Sequence, residues 1–237
     1  MFVSCAIWSY LRSYHHNQVG TIYAAYIPDY FTFRTHKSPV MNNFNFLEEV
    51  VLENERVRLE PLSQSHFEEL LPICLEAPNL LQYSPSAFGT AEHLQAYVQG
   101  ALQARKAEQR YPFTTYDKQL GRIVGSTSFG NVSNVHRRLE IGWTWLAPAT
   151  QRTGLNRNAK FLQLSYAFET LGYERVEFKA DARNEASRRA MEGIGATFEG
   201  TLRSHTLMQD GFRRSTVYYS ILSEEWPSVK ARIFTGL

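Results

Sequence analysis

Between Trp143 and Phe161 the chain reads WTWLAPATQRTGLNRNAKF: an alternating apolar run, a proline, a short polar loop and a helical pattern. The loop, residues 151–156, is rich in backbone donors, and no Asp or Glu occurs in residues 143–168. A strand turning through such a loop into a helix presents unpaired N–H groups at the helix start. The helix dipole adds about half a positive charge there. Gly154 permits a close backbone approach, and Arg152 and Arg157 add full charges. The chemistry on offer is anion binding, with a phosphate as the fitting guest. The same residues also suit a plain βα turn with surface arginines, and the loop alone does not separate the two. Neither GxxxxGK(S/T) nor a GxGxxG after a strand is present. The GxG of GIGATFEG at Gly193 follows a helix and lacks the third glycine, so it is no dinucleotide fingerprint.

The elements around this loop are legible in pattern. NERVRLEPL, from Asn54, predicts a short strand with Val57 and Leu59 inward, stopped by Pro61. SQSHFEELLPICLEA predicts a helix with a Ser65–Glu68 capping box and Leu70, Leu71 and Cys74 on one face. Pro72 either kinks that helix or delays its start. A second helix is expected from Ala91, after Thr90, to about Gln109, with Leu94, Val98 and Leu102 near helical spacing. YPFTTYD and RIVGSTSFG flank KQLG as a hairpin. In RRLEIGWTWLAP, alternation places Leu139, Ile141, Trp143 and Trp145 on one face and Glu140, Gly142 and Thr144 on the other, which predicts core packing for both tryptophans. The helix after the loop, from near Asn156, carries Phe161, Leu164, Phe168 and Leu171 and stops at Gly172. RVEFKAD predicts a strand, residues 184–194 a short helix, and Asp210-Gly211 a closing hairpin. This order predicts an α+β fold, a mixed sheet covered by helices.

Composition bounds the rest. With 237 residues, 20% charged and 43% apolar, the chain has the balance of a soluble globular protein of one large domain or two small ones. A net charge of +2 and no basic arm argue against a nucleic-acid partner. No apolar run approaches the ~18 residues of a membrane span. Cys5 and Cys74 form no CxxC pair and no framework, so a reducing, cytoplasmic setting is expected, with Cys74 in the core. His15 and His16 have no partner at ligand spacing, and no metal site is read. Residues 1–40 hold nine aromatics and only four charged groups (Arg12, Asp29, Arg34 and Lys37) without steady periodicity. They are expected to be a poorly ordered arm, or to precede a natural start at Met41, ahead of a domain at 41–237.

Gln151-Arg152-Thr153-Gly154-Leu155-Asn156 resembles the coenzyme A loop, Q/R-x-x-G-x-G/A, of the GNAT acetyltransferases. It matches at Gln151 and Gly154 and departs at Asn156, a residue type that tolerates left-handed dihedrals. DARNEASRRAMEGIGATFEGTLR resembles the family's second signature, N-x-x-S followed by a small-residue turn and an E-G strand, and EIGWTWLAP its central strand. Together these are similar to the RimJ/RimL-like branch, the ribosomal-protein N-terminal acetyltransferases and their relatives, over roughly residues 54–226. The resemblance implies a central mixed, mostly antiparallel twisted sheet with two splayed parallel strands, flanked by helices. The splayed strands would be the one ending at Ala147 and the one spanning residues 176–180. Their edges would bond the pantetheine arm by the logic of strand addition. It further implies acetyl-CoA as cosubstrate, without a metal, its pyrophosphate on Gln151, Arg152, Thr153, Gly154, Leu155 and Asn156.

The implied reaction is acetyl transfer to a free amine, on a protein N-terminus or a small molecule; a longer acyl group and self-association stay open. An α-amine of pKa ~8 is about 10% neutral at pH 7, against roughly 0.04% for a lysine, so a weak base suffices for an N-terminus. Glu140 is the first candidate base, by the family's glutamate in the central strand; the plainer reading is a surface or salt-bridged carboxylate with Arg137-Arg138 before it. His205 is the second. Many relatives place a tyrosine at the departing thiolate where this chain has Met191, so Ser187 of N-x-x-S is the substitute donor. Asn184 serves as helix cap and pantetheine partner, and a backbone N–H near Leu146 as oxyanion donor. Tyr83 and Phe88 are expected at the acceptor wall. The competing reading is a catalytically silent coenzyme A binder with a regulatory role.

Overall fold

The computed structural model describes residues 42–237; the expectations for the arm at 1–40 and for Met41 lie outside the described residues. Eight strands form one sheet: β1 (Leu52–Glu53), β2 (Val57–Pro61), β3 (Arg110–Asp117), β4 (Arg122–Ser133), β5 (Arg138–Leu146), β6 (Arg175–Asp181), β7 (Thr197–Leu207) and β8 (Arg213–Leu222). The spatial order is β1-β2-β3-β4-β5-β6-β8-β7, and every neighbouring pair is antiparallel except β5–β6. The helices are α1 (Phe67–Glu76), α2 (Ala91–Lys106), α3 (Leu155–Ser165), α4 (Glu185–Gly193) and α5 (Trp226–Ile233). The expected mixed sheet with helical cover is thus observed.

Side-chain contacts assign the helices to faces. Tyr97 of α2 accepts from Arg110 of β3 and from the Trp145 indole of β5 on one face. On the other, Lys160 of α3 reaches Thr127 and Thr144, Arg188 of α4 reaches Tyr219, and Phe161 of α3 packs on Trp226 and Phe234. Leu59, Phe113, Phe129 and Leu139 are fully buried between these layers, each worth about 1.5–3 kcal/mol of burial.

Local details correct the sequence expectations. The first cap is Ser63 with His66, opening a short 3-10 turn, rather than Ser65 with Glu68; α1 then begins at Phe67 and runs through Pro72. α2 starts at Ala91 as expected, and Thr90 caps it, its hydroxyl accepting from His93 N. α3 continues into a wider turn, Tyr166–Thr170, before Gly172 at φ 64°. Helix α5 and strand β1 were not anticipated. No helix among the described residues is long and apolar enough to cross a membrane.

The sheet has one break that matters. β5 and β6 pair only through Arg138, Leu139 and Glu140 against Arg175, Val176 and Glu177. Beyond Glu140 and Glu177 they share no pairing, although β5 runs on to Leu146 and β6 to Asp181. The opening lies between two strands that stay paired on their other edges, β6 with β8 without interruption and β5 with β4 through two register shifts.

Candidate active site

The loop expected to bind an anion sits where β5 leaves this opening and α3 begins. Gly154 caps α3 at φ 86°, left-handed backbone that a β-branched residue resists, and a Cβ there would meet no atom within 4 Å. The backbone N–H groups of residues 152–157 donate to no acceptor among the described residues; the first helical bond is Asn158 N to Gly154 O. Gln151 is fastened by its amide to Leu146 O at 3.1 Å, and Thr153 by its hydroxyl to Thr150 O. Asn158 is bonded by Asn54, which holds the helix start against the chain ahead of β2. The buried Asn156 Oδ1 also lacks a partner. A rigid loop with successive free donors and room above its glycine fits a diphosphate.

Ala147 N donates to Val124 O across the Leu146–Gly125 pair. That pattern makes Leu146 a non-hydrogen-bonded position of the β4–β5 ladder, so its N–H and C=O point away from β4, into the opening. An extended amide-bearing chain laid along β5 would meet that N–H.

The faces of β5 differ from simple alternation. Ser126 pairs with Trp145 but Ser128 with Gly142, so β5 carries one extra residue, and Trp143 takes φ 51°. This bulge turns Trp143 and Trp145 onto the Glu140 face and Thr144 onto the α3 face. The expectation that both tryptophans share the Ile141 face is therefore corrected. Trp145 is buried under Phe88, while Trp143 is 38% exposed beside Arg110. Gly130 leaves room for the Trp143 ring, since a Cβ there would lie 2.4 Å from it.

Glu140 lies at the last paired position of β5, only 4% exposed. Its Oε2 accepts from Asn131 Nδ2 at 2.6 Å and pairs with Lys179 Nζ at 2.7 Å. The carboxylate is charge-paired to β6, and its Asn131 partner lines a concave site of about 610 Å³ with Arg110 and Trp143. His205 is elsewhere. It is exposed on β7, bonded to Thr216, with β6 and β8 between it and β5; Thr216 pairs with Asp181, four residues along β6 from the Glu177 that faces Glu140, so three strand spacings of ~4.8 Å and about 13 Å along the strand separate the two backbones. The structure does not bring those two candidates together.

Asn184 caps α4, its Oδ1 accepting from Ser187 N at 3.0 Å. The Ser187 hydroxyl has no partner among the described residues, and Met191 is buried in the helix below. At the far end of β6, Asp181 is buried against Arg183; burial alone would raise its carboxyl, but the hydrogen bonds from Arg183 outweigh that and hold it below the usual range. Arg183 stacks on Phe212 and Arg214 donates to Tyr83 O, so the α1–α2 loop and the β7–β8 hairpin meet over this end of the strand. Tyr83 lies beside Arg183 at this end of β6, whereas Phe88 is core packing under Trp145. Lys179, Asn131 and Lys160 were not foreseen.

Residues 56–197 match the family model described as an acetyltransferase (GNAT) domain. A candidate ribosomal N-acetyltransferase of Bacillus subtilis, YdaF, is 37% identical over 110 residues, 46% of this chain and 59% of that protein. The match therefore spans less than two thirds of that relative. A candidate acetyltransferase from T. thermophilus is 37% identical with a TM-score of 0.71, over 79% of this chain and 96% of that one. A GCN5-related N-acetyltransferase from Brucella melitensis is 30% identical with a TM-score of 0.72, over 78% of this chain and 83% of its own. With the opened β5–β6 pair and the donor-lined loop already in place, these matches make the chain a member of the GNAT acetyltransferase family.

Proposed function

We propose that the protein is an acyl-CoA-dependent N-acyltransferase that moves acetyl from acetyl-CoA to a free amine by direct attack on the thioester. One observation carries the reading: the unpartnered N–H groups of residues 152–157 stand beside an opening whose closed end is the buried Glu140. The pyrophosphate would rest on residues 151–156, and the Leu146 N–H would bond an amide of the arm. Asn184 and Ser187 border the arm from the α4 side, where the free serine hydroxyl would meet the departing sulfur. Glu140, paired with Lys179, takes the proton lost by the attacking nitrogen, directly or through water. A paired carboxylate is a weak base, which suits an α-amine better than a lysine. The ribosomal name of the B. subtilis relative likewise favours a protein as acceptor.

The test is thiol release from acetyl-CoA and succinyl-CoA with peptides bearing free or blocked N-termini, internal lysines, and polyamines. Release with free α-amines and none with blocked peptides is expected. Release only with lysines or polyamines would move the acceptor class. Calorimetric binding of coenzyme A without release from any donor would favour a silent binder, the reading that the Glu140–Lys179 pair would then support.

A further inference from the structure

Lys160 is a buried cation without a counter-ion. Its ammonium sits inside α3, 5% exposed, and donates to Thr144 Oγ1 at 2.8 Å, Gln163 Oε1 at 2.9 Å and Thr127 Oγ1 at 3.1 Å. All three partners are neutral. The ionisable groups on the surrounding elements are engaged elsewhere: Glu53 of β1 with Lys118, Arg58 and Glu60 of β2 with each other, Asp117 of β3 with Arg56, Glu140 of β5 with Lys179, Lys230 of α5 with Glu169. Arg157, on α3 itself, and Arg122 of β4 are exposed. Burial with no compensating charge pushes the amine down to about 7. A methionine would fill the same space without that penalty, so packing alone does not explain a lysine here.

The cage suits both protonation states. Three acceptors match the three N–H bonds of the ammonium. Once a proton leaves, a threonine hydroxyl can turn and donate to the freed lone pair, because hydroxyls both donate and accept. The Thr127 and Thr144 hydroxyls are also 2.8 Å from each other. Thr144 differs from its two companions in being exposed, on the length of β5 that has left β6. It therefore spans from the sealed amine to the opening.

We propose that Lys160, acting through the Thr144 hydroxyl, is the proton reservoir for the sulfur released in the β5–β6 opening. The proposal rests on the transferase reading above. As the acceptor nitrogen bonds the carbonyl carbon, the C–S bond breaks and its electron pair stays on sulfur. Thr144 gives its proton to that sulfur and takes one from the Lys160 ammonium, leaving a neutral amine. The proton that nitrogen loses leaves by Glu140 to solvent, and solvent restores the ammonium. A serine hydroxyl such as Ser187 can bond the sulfur but holds no proton in reserve at neutral pH; an amine in this cage does. Lys160 is a positioning and relay residue, since it touches no substrate itself.

The test begins without turnover. In the full chain labelled at the lysine ε-carbon, NMR should show one lysine titrating near pH 7, absent from Lys160→Met; no lysine titrating below about pH 9 overturns the proposal. Coenzyme A should shift the Lys160 signal and desulfo-coenzyme A should not, because only the first places a sulfur beside the Thr144 hydroxyl. An equal response to both overturns it. With an accepted amine, Lys160→Met and Thr144→Val should each lower kcat by roughly 10² at pH 6.5 and lose the fall in kcat above pH 7, with coenzyme A affinity kept within about threefold. Thr144→Val should retain the NMR titration, which separates relay from reservoir. Unchanged kcat and pH profile in a folded Lys160→Met rejects the relay. Failure of every amine to react defeats the transferase reading instead, and the relay with it, while the two coenzyme titrations still report whether amine and sulfur are neighbours.

Discussion

Glu140 and Lys160 approach β5 from its two faces and are buried alike, at 4% and 5% exposure. Their partners differ. Glu140 has a full opposite charge, Lys179, and an amide donor. Lys160 has two hydroxyls and an amide oxygen, and its proton is loosened to near neutrality. Taking either charge out of water is costly, and only the first has a Coulomb partner to offset the cost. Equal burial therefore leaves two different groups: Glu140, tied to a counter-charge on the acceptor side, and Lys160, without one, whose proton comes and goes.

The largest expected effect comes from making Glu140 resemble Lys160. Lys179→Ala strands a buried carboxylate and should cost about 3–5 kcal/mol in denaturant unfolding at neutral pH. Adding Glu140→Gln should recover most of that loss; a single-variant cost below about 1 kcal/mol would show that the carboxylate reaches water instead of depending on Lys179.

Next in size is a pH effect with a defined sign. Lys160 holds its proton to about pH 7 when folded and to ~10.4 when unfolded, so between those values the unfolded chain binds more protons. Stability from this group must then rise with pH across that window, by an amount on the order of 3–5 kcal/mol, and stay flat below pH 7. The wild-type minus Lys160→Met difference in unfolding free energy isolates it, because titrations elsewhere cancel. A difference that does not change between pH 7 and 10 would place the amine in a charged, paired state like that of Glu140.

The smallest effect lies outside both faces. Gly154→Val forces a β-branched side chain into backbone at φ 86° and disturbs the donors around it. Coenzyme A should bind about tenfold more weakly or worse by calorimetry, close to 1.4 kcal/mol. Both the Glu140 pair and the Lys160 titration should be unaffected. Unchanged affinity in a folded variant would move the pyrophosphate off this loop.

Much of the framework was determined by the sequence itself. Periods of 2 and 3.6 residues marked β2 to β6 and α1 to α4, Gly172 and Asp210-Gly211 marked stops and turns, and the loop at residues 151–156 was legible as a donor-rich helix start. These signals are local, carried by residues a few positions apart. The charge state of the site was decided only by tertiary structure. The bulge at Trp143 reversed the facing of both tryptophans because β4 and β5 pair out of step there. Lys160 reads in sequence as one more solvated helix lysine, and its cage assembles from Thr127 and Thr144, 33 and 16 residues away. Glu140 meets its counter-charge on β6, across the parallel pair. Pairing register and burial set those distances, and the electrostatics of a buried group depends on the distance to its nearest charge, which no local period encodes.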